Sequence, residues 1–439
     1  MRALSSLVLT AAMALPTVLG SVEPAHVLHP VRMRRDTGSD GVQPSYNISL
    51  YYQAGSQSSA AAHVDAQMKL PTVVLDNINS ISTVDCSTDT VEITYDSAVD
   101  YETSISEWSS ADLIILTNHE GNCDTENAHG VYVVSSLAYD NDTQTITAQA
   151  AESSLREQAA FLSVTFNSTA VASRKRDLTI TLSDEWSGDL INTDDLAIDV
   201  QEVDLSTTVD LSGGVDFDVS NLTATTLYLE LDIALVADVS VSAQAEASYS
   251  TNVLSYTFDA LSVSAFEIAG ILSIGPSLTF GVGVEFAITG EANVTADVSA
   301  QIADGRLYLD LLDSSTSSSS GWAPTYNASA TLSAEVDAEL NPFADVELSI
   351  GIDVLDGLLD VSAGIEARAE IVNEFSVEGS VALSTDNGVT VENGSGSCEN
   401  GYWFTSDFTF GVDVFVTDLY SETLYNVTLP IYDTECIAF

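Results

Sequence analysis

At residues 227–241 the chain reads LYLELDIALVADVSV, and this stretch decides the fold class. Every odd-numbered position from Leu227 to Val241 carries an apolar residue or alanine, and the alternation continues to Tyr249. Several positions between them carry carboxylates or serine. Successive side chains of a β-strand point to opposite faces, so this period of two predicts a strand with one buried and one solvated face.

The same alternation recurs at residues 282–302, 328–340 and 361–383. Segments of about 20 residues are several times longer than a typical strand. We therefore expect long curved strands, or strands bent at bulges such as Gly290, Gly364 or Gly379. For residues 177–439 this predicts a large antiparallel β-sandwich or curled sheet with long amphipathic strands. Its buried face is rich in alanine and valine, which suits either close packing of two sheets or a narrow apolar groove.

Residues 36–176 form the other predicted unit, a small β-sandwich-like N-terminal domain. Residues 131–134 lead through Asp140-Asn141-Asp142 into residues 145–148, which predicts a hairpin. Short helices are expected around residues 105–108 and 152–158. The predicted fold class is thus all-β, with two β-rich domains that meet near residue 176.

Charge excludes several classes of function. The chain has 439 residues, of which 65 are acidic and 11 basic, and its formal net charge is −54. A field of this sign repels phosphate backbones, so we expect no nucleic-acid partner, and anionic membrane surfaces are disfavoured. The hydrophobic content of 45% argues against global disorder.

The basic residues also limit the available chemistry. After residue 176 the chain has 45 acidic residues and two arginines, with neither lysine nor histidine. The C-terminal domain therefore has no Ser-His-Asp triad, Schiff-base lysine or histidine-based metal site. A glycoside hydrolase needs only two carboxylates, so that reaction stays open as an alternative.

The N-terminus predicts secretion. Residues 1–20 combine Arg2, a mostly apolar stretch and a small residue, Gly20, as in a signal peptide. No later segment resembles a membrane span. Eight Asn-x-Ser/Thr sequons behind a signal peptide predict a secreted, extracellular or cell-wall glycoprotein. They lie at Asn47, Asn141, Asn167, Asn221, Asn293, Asn327, Asn393 and Asn426.

Two basic clusters predict proteolytic processing. Arg34-Arg35 and Lys175-Arg176 both precede an aspartate and match sites of a kexin-type protease. Cleavage after Arg35 would make residues 21–35 a propeptide, and cleavage after Arg176 would separate the two domains. The alternative for each cluster is a solvated basic turn.

The four cysteines predict disulfides in an oxidising compartment. Three connectivities are possible. Pairing within each domain, Cys86 with Cys123 and Cys398 with Cys436, is the favoured scheme because it closes two medium-sized loops. No Cys-x-x-Cys spacing indicates a metal site.

Other motifs point to no definite chemistry. Asp36-Thr37-Gly38 matches half of the aspartic-protease signature, but the required second copy is missing from the chain. The polar loop 118–126, with His129 after it, could hold a metal ion or be a surface loop tethered by Cys123. Carboxylates at Asp184, Glu185, Asp189, Asp194 and Asp195 could attract Ca²⁺ but lack the spacing of a known calcium loop. We therefore predict no catalytic, cofactor-binding or metal-binding residues.

Cysteine, aromatic and glycine positions resemble those of secreted two-domain fungal proteins of unknown function. The resemblance rests on Cys86, Trp108 and Cys123, on Gly275-Pro276 with residues 280–283, and on 398–402 with Cys436. It implies an extracellular fungal setting and transfers no active residues. The sequence thus favours a non-enzymatic structural or interaction protein of the cell wall or extracellular space, with cell-wall components as partners. Alternatives are a carrier of a hydrophobic small molecule and a carboxylate-based glycoside hydrolase.

Overall fold

The computed structural model of the chain describes residues 26–31, 39–54, 61–108, 112–118, 123, 128–167, 179–193, 196–246, 249–257, 261–262, 266–288, 292–334, 338–378, 401–416, 420–433 and 437–438. The predicted signal peptide and the cleavage sites at Arg35 and Arg176 lie outside these ranges. Asn393, Cys398 and Cys436 also lie outside them, as do Gly290 and Gly379.

The N-terminal region is mainly β-structure with two helices. Its strands are β1 His26–Val27, β2 His29–Pro30, β3 Ser45–Gln53, β4 Ala61–Val74, β5 Ile81–Cys86, β6 Thr90–Tyr95, β7 Leu113–Thr117, β8 Gly130–Asp140, β9 Thr145–Ser153 and β10 Ala159–Asn167. The α-helices are α1 Ala98–Glu107 and α2 Leu155–Gln158, and short 3-10 helices span Ser39–Val42 and Leu75–Asn77. Antiparallel β8 and β9 form the predicted hairpin.

Long strands dominate the described part of the C-terminal region. They are β11 Thr179–Asn192, β12 Leu196–Asp218, β13 Thr223–Ala245, β14 Tyr249–Thr257, β15 Leu261–Ser262, β16 Phe266–Ile268, β17 Leu272–Ile288, β18 Ala292–Asp310, β19 Ser318–Ser320, β20 Thr325–Ala334, β21 Ala338–Val354, β22 Leu359–Glu378, β23 Gly401–Val416, β24 Tyr420–Asp433 and β25 Ile437–Ala438. A 3-10 helix spans Ser314–Thr316. The fold is all-β, as the alternation predicts.

The described strands form two sheets, here called the large sheet and the second sheet. The large sheet runs β19-β18-β13-β12-β10-β4-β7-β8-β9-β6-β5, with β11 also on β12, β20 on β18, and β3 linking β2 to β4. The second sheet runs β1-β16-β17-β21-β22-β23-β24, with β14 and β15 on β17 and β25 on β23. Most pairs are antiparallel; β1–β16 and β4–β7 are parallel.

Strand β12 joins the N-terminal region to the long strands. Its first part pairs with β11, and its last residues pair with β10, as in Val164 opposite Val215. The hydrogen-bonded ladder therefore continues from the strands before residue 176 to those after it. The predicted boundary at residue 176 separates β10 from β11 in sequence but does not interrupt the large sheet.

Two of the alternating segments are divided between sheets rather than bent. Residues 282–302 belong partly to β17, in the second sheet, and partly to β18, in the large sheet. Residues 328–340 divide in the same way between β20 and β21. The expectation of one long strand in each segment was wrong, because a period of two continues in phase across a short connection and does not mark the change of sheet.

The expected bulge at Gly364 is also wrong. Gly364 keeps register with Ser349 on one side and Phe415 on the other. A Cβ at this position would overlap the Leu348 carbonyl oxygen and lie 2.7 Å from the Phe415 ring. Glycine is therefore required here by close packing of the aromatic ring on the backbone.

One apolar cluster lies between the two sheets. Val209 and Leu231 of the large sheet belong to the same buried cluster as Phe280, Ile350 and Val412 of the second sheet. The long strands therefore form a sandwich that buries the apolar positions of the alternation. A second cluster, formed by Trp108, Tyr101 and their neighbours, lies between α1 and the N-terminal strands.

Candidate functional surface

The space between the two sheets bears on the predicted carrier function, because a carrier needs a cavity for its ligand. One gap between the sheets, lined by residues such as Ala237, Ala300 and Phe343, measures about 10 Å³. A neighbouring gap beside Val346 and Phe410 measures about 20 Å³. A small-molecule site occupies about 300–1,000 Å³. Around these residues, alanine and valine side chains fill the space between the sheets.

The outer side of the large sheet carries carboxylates and hydroxyls. We call the outward side chains of β11, β12, β13, β18 and β20 the acidic face. Glu185 lies opposite Asp204, and Asp204 lies opposite Asp238, so three carboxylates follow one another across three strands. Cβ atoms of directly opposed residues are about 4.5–5.5 Å apart, and like charges at that distance repel.

Other carboxylates on the acidic face have hydroxyl or carboxyl neighbours. Asp297 accepts hydrogen bonds from the Ser240 hydroxyl at 2.6 Å and from the Ser329 hydroxyl at 3.1 Å. Asp189 lies opposite Asp199. Desolvation, and then the hydrogen bond and charge of Asp189, raise the pKa of Asp199. Carboxylates of the strongly acidic chain thus lie next to one another on this face.

A groove of about 380 Å³ opens on the acidic face and is lined by Glu230, Leu231, Asp232, Arg306, Leu307, Tyr308 and Ser318 to Ser320. Arg306 contacts Asp304 at 3.1 Å and Asp232 at 3.8 Å. The Tyr308 ring stacks on Tyr228 with centroids 5.7 Å apart. The groove therefore offers carboxylates, hydroxyls, one guanidinium and an aromatic ring, which are groups that hydrogen-bond or stack on a polyhydroxyl partner.

The groove does not have the geometry expected of a glycosidase. Glu230 and Asp232 both lie on β13, two residues apart and on one face. Glycosidases place their two carboxyl groups on either side of the scissile bond. These two carboxylates lie side by side on the same wall of the groove.

The second sheet carries an ion cluster around Arg368. Its guanidinium contacts Glu285 at 3.0 Å, Asp345 at 3.4 Å and Glu370 at 3.3 Å. It also lies 3.8 Å from the centroid of the Phe343 ring. Desolvation raises the pKa values of Asp345 and Glu370, and the charge and hydrogen bonds of Arg368 partly reduce this increase. Arg368 thus covers an apolar ring and offsets part of the repulsion among three carboxylates.

A buried polar cluster lies in the N-terminal region. The Tyr52 hydroxyl and His129 Nδ1 are 2.8 Å apart, and His129 Nε2 is 3.8 Å from Asp76 Oδ2. Asp76 also accepts the backbone N–H of Asn118 at 3.1 Å. Burial lowers the pKa of His129 to about 4 and raises that of Tyr52. In the Nε2-protonated tautomer of a neutral His129, Nδ1 accepts a hydrogen bond from the Tyr52 hydroxyl and the Nε2–H points towards Asp76.

The metal interpretations gain no support in the described ranges, where no group of three or more histidine, cysteine or carboxylate side chains is placed to hold a metal ion. The loop considered as a metal site places Asn118, Cys123 and His129 inside those ranges and its other residues outside them. Of the calcium candidates, Glu185 and Asp189 are exposed on β11, whereas Asp194 and Asp195 lie outside the described ranges.

The remaining sequence-predicted sites are placed as follows. Cys86 and Cys123 are joined in a disulfide. Six sequon asparagines are exposed, namely Asn47, Asn141, Asn221, Asn293, Asn327 and Asn426. Asn167 is the last residue of β10. Six exposed acceptor positions are compatible with glycan attachment, which requires open solvent.

Sequence reasoning missed the Arg368 cluster and the Tyr52–His129–Asp76 cluster. Arg368 is one of two basic residues among the last 263, and this rarity was the signal that could have marked it. Tyr52 and His129 are 77 positions apart, and no spacing rule connects them.

These features define the class: an all-β protein whose described long sheets pack on one apolar cluster and whose large sheet carries carboxylates on its outer side. Residues 177–399 match the family described as Domain of unknown function (DUF7223), and this match covers more than half of the chain. The chain therefore belongs to that family. Residues 65–163 match a second one, Domain of unknown function (DUF7029). The two matches lie on either side of residue 176.

Comparisons with curated proteins and with solved structures found no match. Among the described helices, none is long and apolar enough to cross a membrane.

Proposed function

We propose that the protein is a secreted, non-enzymatic glycoprotein that acts as a structural or interaction component of the cell wall or extracellular space. The observation that carries the proposal is the close packing of the described long strands around Ala237, Phe343 and Phe410, where two gaps between the sheets measure about 10 and 20 Å³. Such a sandwich presents its polar side chains on the outer faces of the sheets. Secretion rests on the signal-like N-terminus and the sequons, with processing after Arg35 as part of maturation.

The groove on the acidic face is the proposed contact region for wall polysaccharide. Sugar hydroxyls pair with carboxylates and serine hydroxyls, and a sugar ring can stack on an aromatic face. Glu230, Asp232, Tyr308 and Ser318 supply these groups at one place. The surrounding negative charge would repel anionic polymers and select neutral or cationic ones.

Sedimentation with insoluble wall polysaccharide tests this role. We expect the wild-type protein to co-sediment with neutral or amino-sugar polymers, and Glu230→Gln with Tyr308→Ala to reduce the bound fraction at least about tenfold, since each lost contact is worth roughly 1 kcal/mol or more. Glu366→Gln is the matched control, because Glu366 is exposed on β22 of the other sheet. Equal binding by all variants would refute the groove as the contact region.

Organic extraction tests the carrier alternative. The native protein is extracted with organic solvent, and the extract is analysed by mass spectrometry. We expect no stoichiometric lipid, because the gaps described between the sheets are too small for one. One bound lipid per chain would overturn the structural role in favour of the carrier.

A further inference from the structure

Residues His26–Val31 cross from one sheet to the other. Strand β1 pairs in parallel with β16 of the second sheet, and β2 pairs antiparallel with β3 of the large sheet. Two backbone hydrogen bonds extend these ladders: Leu28 N–H donates to Glu267 O at 2.9 Å, and Val31 N–H donates to Tyr51 O at 2.8 Å. We call this segment the strap.

Leu28 anchors the strap between the sheets. Its side chain is fully buried and belongs to the same apolar cluster as the long strands. Val31, at the end of the strap, keeps 37% of its surface exposed. Removal of the strap would open a leucine-sized space in the core, which lowers stability. It would also leave the backbone groups of β16 and β3 that pair with the strap without partners, which exposes an unpaired strand edge on each sheet.

The strap lies directly before the predicted processing site. Arg34 and Arg35 follow Val31 in sequence, so cleavage after Arg35 would separate the strap covalently from the rest of the chain. The protease adds water across the peptide bond between Arg35 and Asp36, which leaves a new carboxylate on Arg35 and a new amine on Asp36. A conventional propeptide dissociates after such a cut. The strap, in contrast, is hydrogen-bonded to a strand of each sheet.

We propose that the strap remains bound after cleavage, as a separate peptide that closes the slot between β16 and β3. The slot is thus a peptide-binding site for an extended segment that pairs with both strands and buries a leucine between them. Its occupant is residues 26–31 of the same chain. The proposal rests on the processing after Arg35 that forms part of the proposed function.

The test uses the full chain with Lys175→Gln and Arg176→Gln, which remove the second predicted site, cut by a kexin-type protease. Native gel filtration separates bound from free peptide, and mass spectrometry under denaturing conditions identifies the peptide in each fraction. We expect the peptide that ends at Arg35 to co-elute with the protein under native conditions and to separate from it in denaturant. Loss of the wild-type peptide under native conditions would overturn the proposal.

Variants identify Leu28 as the anchor. Leu28→Ala should weaken retention about 10–100-fold, the factor expected from the burial of one leucine side chain. Val31→Ala is the matched control and should be retained like the wild type, because its side chain is partly exposed. Equal retention of both variants would contradict the assigned anchor. Each substitution replaces an apolar side chain by alanine and introduces no polar group, so we expect both variants to fold.

A second cut distinguishes failure of processing from failure of the strap. If the protease leaves Arg35 intact, the proposed processing is wrong. Replacement of residues 32–35 by the recognition sequence of another protease then provides the cut, and retention of the peptide is measured in the same way. Retention of the peptide supports the strap proposal, and loss of the peptide contradicts it.

Discussion

Acidification should weaken the N-terminal region through His129, whose imidazole is buried against Tyr52 and Asp76. The side chain is 4% exposed, and burial lowers its pKa from 6.5 to about 4. The folded protein therefore binds this proton less readily than the unfolded chain does. The stability contributed by the neutral imidazole is present above pH 6.5 and is lost as the pH falls towards 4.

The size of the effect follows from the two pKa values. Each pH unit between them is worth about 1.4 kcal/mol, so the full loss is at most about 3.5 kcal/mol. Asp76 lies 3.8 Å from Nε2 and would partly compensate a charged imidazole. Protonation at Nδ1 would also prevent the Tyr52 hydroxyl from donating to that nitrogen, which opposes charging.

Urea unfolding between pH 4.5 and 7.5 measures this contribution. The intrinsic fluorescence of the four tryptophans follows unfolding. Trp108 contributes the signal of the N-terminal region, because its indole is 4% exposed and donates to the Val42 carbonyl at 2.8 Å. We compare the wild type with His129→Gln, which keeps hydrogen-bonding groups but does not titrate. The wild type should be the more stable at pH 7.5, and this advantage should shrink by about 2–3 kcal/mol at pH 4.5.

The comparison isolates His129 from the many carboxylates, because these titrate in both proteins. His63→Gln is the control, since it removes a histidine from β4 and leaves the buried cluster intact. A wild-type advantage that stays within about 0.5 kcal/mol across this pH range would refute the reasoning, because a group with an altered pKa must produce a pH-dependent difference.

Three further predictions concern stability. Replacement of Cys86 and Cys123 by alanine should cost about 4 kcal/mol in urea unfolding, the loop entropy for a separation of 37 residues; an unchanged midpoint would contradict it. Gly364→Ala should cost about 1–3 kcal/mol through overlap with backbone and ring, whereas Gly411→Ala, with no neighbour within 4 Å, should cost under about 1 kcal/mol. Glu370→Gln should stabilise the protein at pH 7 by up to about 1 kcal/mol, with the gain vanishing near pH 4. The reason is that the raised pKa of Glu370 makes its ionised form unfavourable in the fold, so stability is lost as the pH rises through that pKa. A constant gain at both pH values would argue against this cause.

The alternation predicts the β-class and the buried face of the long strands with precision. Leu227, Leu229 and Leu231 are each at most 3% exposed, as their odd positions require. The hairpin β8–β9 also follows from local sequence signals. These features depend on residues near one another in the chain, so local rules suffice. The helix predictions were only partly right, because α1 begins at Ala98 rather than near residue 105, and Glu152 and Ser153 belong to β9.

Local sequence rules did not predict which segments belong to which sheet or which residues pack between the sheets. Val282 and Val298 share one uninterrupted alternation but lie in different sheets, because β17 ends at Ile288 and β18 begins at Ala292 without a break in the period. Leu28 was assigned to a propeptide from its place before Arg35. Its burial became visible only in the structure, where His26 pairs with Phe266 of the second sheet and His29 pairs with Gln53 of the large sheet.

The sequence by itself determined the β-class, the strongly acidic surface and the lack of histidine and lysine after residue 176, because composition and periodicity are properties of the chain alone. Only the tertiary structure decided that the described sheets pack closely around Phe343 and Phe410, that Arg368 contacts three carboxylates, and that the strap joins both sheets. Each of these depends on contacts between residues far apart in sequence, and such contacts arise only when the sheets pack.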